Sequence, residues 1–101
     1  MDCTIVRLEA GGAVQVLGMA MSDTPARIHY VLTISQSGGE GVSTLWEMGD
    51  VDVAPHVPTE FGHTRLPLAN VRLDAHLTVT WENGKIECEM VEAPDEIQDE
   101  L

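Results

Sequence analysis

Positive charge is scarce in this chain. Its 101 residues hold five Lys and Arg against seventeen Asp and Glu, a formal net charge of −12. A surface of that sign repels phosphate backbones and anionic lipid, which argues against nucleic acid and membrane surfaces as partners. The acidity has two readings: it keeps the protein soluble, or it steers a basic partner. Long hydrophobic runs are missing too. No window approaches the roughly 18 apolar residues of a transmembrane helix, so membrane insertion is not expected. The start MDCTIV has neither a basic n-region nor a long apolar h-region, so no signal peptide is visible. That leaves a cytoplasmic chain or a mature exported one. Cysteine is limited to Cys3 and Cys88, which lack the C-x-x-C spacing of a redox or zinc site. In an exported protein they can form one disulfide closing nearly the whole chain; in a cytosolic one they are two buried thiols. No stretch carries a convincing helical period.

What is present is alternation, in a chain whose length suits one domain. ARIHYVLTIS puts Ile28, Tyr30, Leu32 and Ile34 on one face and His29 and Thr33 on the other. HLTVTWE sets Leu77, Val79 and Trp81 against Thr78 and Thr80, and KIECEM sets Ile86, Cys88 and Met90 against Glu87 and Glu89. These are strands with one buried face. Between the last two lies Asn83-Gly84, the strongest short hairpin signal, because a type I′ turn needs positive φ at both central residues. That turn pairs Glu82 with Lys85 and sets Trp81 opposite Ile86, Val79 opposite Cys88 and Leu77 opposite Met90. Further strands are expected at 3–9, 13–21, 42–53 (where Gly49 is a candidate break) and 64–73. Pro67 would make the last of these an edge or mark a bulge. Turn signals fall at Gly11-Gly12, Asp23-Thr24-Pro25, the glycine-rich SQSGGEGVS of 35–43, and Pro55 to Gly62. Seven short strands predict an all-β, antiparallel sandwich over 1–91. The remainder, 92–101, carries five acids and no base and reads as a solvated, disordered tail.

The candidate sites are few. The glycine loop lacks the lysine and following helix that a phosphate loop needs, and Glu40 sits within it, so a hairpin with glycines at positive φ explains it better. His29, His56, His63 and His76 lack ligand spacing, although a zinc site with Asp50 or Asp52 could assemble in space. No nucleophile elbow or apolar pair of carboxylates supports catalysis, so an enzyme is not expected. Trp46 and Met48 share a strand face. They read as core anchors across a sandwich in preference to a binding surface.

Read together, TISQSGGEGVSTLWEMGDVDV and LPLANVRLDAHLTVTWENGKIECEM resemble the CsgH family of curli-assembly inhibitors, relatives of CsgC. The resemblance rests on a strand ending in S-x-S-G-G, a polar G-x-S link, an x-x-G-D step, an L-T-V-T strand, a glycine turn and a strand with one cysteine. CTIVRLEAGGAVQVLG, with its early cysteine and Gly-Gly turn, fits as well. The resemblance implies an immunoglobulin-like sandwich in the periplasm, with no cofactor. It would act as a monomeric, chaperone-like inhibitor that keeps the major curli subunit from forming amyloid. CsgC carries a C-x-C pair where this chain has Cys88-Glu89-Met90, which puts a dithiol role in doubt. A periplasmic location makes a Cys3–Cys88 disulfide natural. On this reading Trp46 and Met48 are candidate client contacts. The competing expectations are a structural or adhesive surface or pilus module and a small metal-binding sandwich.

Overall fold

The computed structural model describes residues 1–38, 41–67 and 72–92. Among them there is no helix. Seven strands follow one another: β1 (Asp2–Ala10), β2 (Ala13–Met21), β3 (Ala26–Gly38), β4 (Gly41–Val53), β5 (Thr59–Pro67), β6 (Arg72–Trp81) and β7 (Gly84–Glu92). They form a three-stranded sheet, β1-β2-β5, facing a four-stranded sheet, β4-β3-β6-β7. Every strand pair is antiparallel. This is the immunoglobulin-like sandwich that the alternation and the resemblance predict. Glu92, the first residue of the tail expected at 92–101, instead ends β7; the other nine, 93–101, lie outside the described residues.

The core follows from the period of two. Val14, Val16 and Ala20 of β2, Phe61 and Leu66 of β5, Ile28, Leu32 and Ile34 of β3, and Leu73, Ala75, Leu77 and Val79 of β6 are all buried and in mutual contact. The rings of Tyr30 and Phe61 meet with centroids 4.5 Å apart. Two glycines give these rings room. A Cβ on Gly18 would lie 2.6 Å from Phe61 Cε1, and one on Gly62 would lie 3.2 Å from both Tyr30 and Leu32. Gly62 also sits at a bulge. Val16 pairs with Thr64 and Gly18 with Phe61, so Leu17 opposes two residues, and Gly62 takes φ +67°.

Four local expectations are corrected. The run 64–73 is not one strand: Thr64–Pro67 ends β5 in the small sheet, whereas Arg72 and Leu73 begin β6 in the large one. Residues 59–62, expected in a turn, belong to β5, and the bulge at Gly62 hides their alternation. Gly49 does not break β4, because it lies beneath the ring of its cross-strand partner Tyr30. The last hairpin is shifted as well. Trp81 pairs with Gly84 and Leu77 with Cys88, so Glu82-Asn83 make the turn. Neither Asn83 nor Gly84 has positive φ. The Trp81 ring packs 3.4 Å from where a Gly84 Cβ would be, an aromatic lying over a strand glycine. A shift of two residues keeps every side chain on its face, so hydrophobic pattern alone cannot distinguish the registers.

Cys3 and Cys88 are joined in a disulfide with a Cα–Cα distance of 6.2 Å. It bridges the two sheets along the side where β1 lies against β7. Arg7 shares the phase of Cys3 and Ile5, opposite Val16, but it sits near the end of β1 and its guanidinium reaches Glu9 at 2.6 Å. At the end of the sandwich, Ser22 ties two links together. Thr24 N–H donates to its Oγ (3.2 Å), and His56 N–H donates to its carbonyl (2.7 Å).

Two outcomes follow. Gly18→Ala forces a methyl against a buried ring and should destabilise the protein by about 1–3 kcal/mol in urea melts; an unchanged midpoint would contradict this packing. Replacing both cysteines by serine opens a loop with a separation of 85 residues and should cost about 4 kcal/mol on the chain-entropy account. Alkylation of unfolded, unreduced protein should find no free thiol.

Candidate functional site

The hairpin β3–β4 sets the shape of the molecule. Its strands are 13 residues each and pair from Ala26↔Val53 to Gly38↔Gly41. At about 3.3 Å per step such a strand spans about 40 Å, most of the 43 Å long axis of the molecule. The facing strands β1, β2 and β5 have nine residues each. The hairpin therefore outruns its cover. In β4, residues 41–48 are exposed on both faces, and burial begins only at Gly49, Val51 and Val53.

β4 is also an edge, with β3 on one side and, among the described residues, no strand on the other. Its uncovered half is apolar. Among the described residues seven large hydrophobic side chains are exposed, and four are Val42 (71%), Leu45 (41%), Trp46 (68%) and Met48 (57%). Their faces follow from register. Ile28, Tyr30, Leu32 and Ile34 point to the core, so their partners Val51, Gly49, Glu47 and Leu45 share the core-side phase. Trp46 and Met48 lie on the outer face beside Thr33 and Val31, with Asp50 and Asp52 further along. The expectation that Trp46 and Met48 anchor the core is thus overturned. The signal was present in VDV of 51–53. Counting back in twos from Val53 puts Glu47 inside and Trp46 outside.

The outer face of the large sheet is polar and charged beyond that edge. His76 bridges two carboxylates, with Nε2 3.1 Å from Glu87 and Nδ1 3.2 Å from Glu89. His29 Nδ1 is 3.0 Å from Asp50, and the Arg27 guanidinium is 3.1 Å from Asp52. Thr33, Ser35, Arg72, Asp74, His76 and Glu89 line a shallow, open depression. The corrected hairpin register brings Glu87 and Glu89 to His76, an arrangement the expected register did not place. The four histidines stay apart, and among the described residues no three His, Cys, Asp or Glu side chains group as metal ligands. The glycine loop runs from the end of β3 into β4, with Gly41 at φ +120°; its Gly39 and Glu40 lie outside the described residues.

A family model described as CsgH protein matches residues 2–91. The chain belongs to the CsgH family. No curated protein matches it. Among solved structures it is similar to the solution structure of R. palustris CsgH, with a TM-score of 0.79 at 21% identity over 88% of this chain and 89% of that one. It is also similar to the E. coli curli protein CsgC, with a TM-score of 0.70 at 12% identity over 92% of this chain and 98% of that one. At these identities the likeness is one of fold, and CsgH membership rests on the match along 2–91.

If Trp46 and Met48 serve the surface and not the core, replacing both by serine should move the unfolding free energy by no more than about 0.5 kcal/mol. A loss of several kcal/mol in a denaturant melt would return them to the core.

Proposed function

We propose that this protein is a periplasmic, chaperone-like inhibitor of amyloid formation by a curli subunit, acting by binding and not by catalysis. The observation that carries the reading is the uncovered half of β4. A fully exposed edge with four large apolar side chains is a template for another strand. Growing amyloid ends in unpaired strands of the same kind. Pairing with such a strand needs only main-chain groups and complementary side chains. The family supports the direction, since the solved relative CsgC is a curli protein. The Cys3–Cys88 bond supports an oxidising compartment. Trp46 and Met48 are the client contacts on this reading, and the chain works as a monomer. A structural or adhesive module would instead use the same edge to join copies of itself.

Inhibition should be substoichiometric, because the target is a rare fibril end or nucleus and not every monomer. In a thioflavin-type assay with purified curli-type subunit, this protein at about one part in fifty should lengthen the lag phase. An unchanged lag across that range overturns the reading. Sedimentation showing concentration-dependent filaments of this chain alone would favour the adhesive module.

A further inference from the structure

We propose that residues 42–48 of β4 take up an extended segment of the amyloid-forming subunit as a fifth strand of the large sheet, and that Glu47 selects a segment with lysine or arginine opposite it. This rests on the chaperone reading above and names the part of the client that reading leaves open.

The register decides which backbone groups are available. Gly38 pairs with Gly41 across two residues, so that pair is hydrogen-bonded, and bonded pairs recur at every second position. Leu45 and Glu47 are bonded to β3. Val42, Thr44, Trp46 and Met48 turn their N–H and C=O groups to the free edge. An incoming antiparallel strand would exchange hydrogen bonds with these four. Trp46 and Met48 would then flank it on the outer face, and Leu45 on the other.

Glu47 supplies the selection. It would oppose its partner in a non-hydrogen-bonded pair, where facing side chains are closest. The other acids of β4 already have partners, Asp50 in the His29 ring and Asp52 in the Arg27 guanidinium. Among the described residues nothing pairs with Glu47. It stands alone in the core-side phase between Leu45 and Gly49, uncovered by the opposite sheet. An inward-pointing charge on an edge strand deters indiscriminate strand pairing. An acid or an apolar residue placed opposite is penalised, while a cation is favoured. A second copy of this chain brings another −12 to the same edge. The occupant is therefore a basic strand from another protein.

The test uses the isotope-labelled full chain and two short synthetic strands, alternating polar and apolar, identical except for lysine or glutamate at the centre. The lysine strand should shift the amides of 42–48 and bind about tenfold more tightly than its glutamate twin. Glu47→Lys should reverse that preference. Glu82→Lys, the same change of net charge at the far turn, should preserve it. Thr44→Pro should abolish binding while leaving the fold intact, because its N–H faces the free edge. Trp46→Pro removes a second edge N–H in the same way. Equal binding of the two strands, shifts on another edge, reversal by Glu82→Lys, or undiminished binding by both proline variants would each overturn the assignment. So would a wild-type dimer that Thr44→Pro dissolves. In the fibril assay, a delay by wild type that Thr44→Pro and Glu47→Lys both retain removes this edge and leaves the chaperone reading standing. A wild type that never delays fibrils removes the reading itself.

Discussion

Strands β3 and β4 pair along all 13 residues, while the sheet opposite them is built from strands of nine. Backbone pairing extends as far as the chain alternates, but burial extends only as far as a second sheet exists to provide it. The two limits differ here, and the difference is the uncovered half of β4. Within the overlap, packing is close enough that Gly18 cannot gain a methyl without displacing Phe61. Beyond it, Leu45 stands next to the buried Ile34 and is itself in solvent. The disulfide adds to this asymmetry. It bridges the sheets on the β1/β7 side and leaves the β4/β5 side without a covalent tie among the described residues.

An edge of this kind is a hazard to its owner, because exposed apolar strands aggregate. The usual defences are proline, lysine, a bulge or shortness. β5 has two of them, with Pro67 at its end and a bulge at Gly62. β4 has neither, and with β3 it is one of the two longest strands in the fold. What it does have is Glu47 in the core-side phase and a strongly negative molecule around it. The cations do little to relieve that charge. Arg27, Arg72 and Lys85 each lie within 4 Å of a carboxylate on an exposed surface, and such pairs contribute at most about 1 kcal/mol. They neutralise the cations locally and leave the surplus acids to set the field.

Much of this fold was legible because alternation survives in the strands that carry the core. Ile28 to Ile34 and Leu77 to Trp81 declare both their structure and their face. The failures share a physical cause: pattern reports which face a residue takes, not how far cover extends or which of two in-phase registers forms. Trp81 over Gly84 decided the hairpin by ring packing, which no count of alternation contains. At Gly62 a bulge reversed the phase within β5 and split an apparent strand from its neighbours. Trp46 and Met48 misled because large apolar side chains are ordinarily core. Their phase relative to Val51 and Val53 already contradicted that.

A net charge of −12 combines two electrostatic effects of different range. Long-range attraction of a basic partner decays over about 8 Å at physiological salt, so it governs how often an encounter occurs. A charge seated in a paired strand, with Leu45 beside it on the same face, is screened less and governs how long a complex lasts. Aggregation nuclei are rare and short-lived, so rate of encounter matters for finding them. Holding them out of growth depends instead on the lifetime of the pairing. On the proposed function, surplus acids spread over both sheets serve the first requirement. On the same proposal, one acid at a fixed place on an open edge serves the second, and that place is set by the register of β3 against β4.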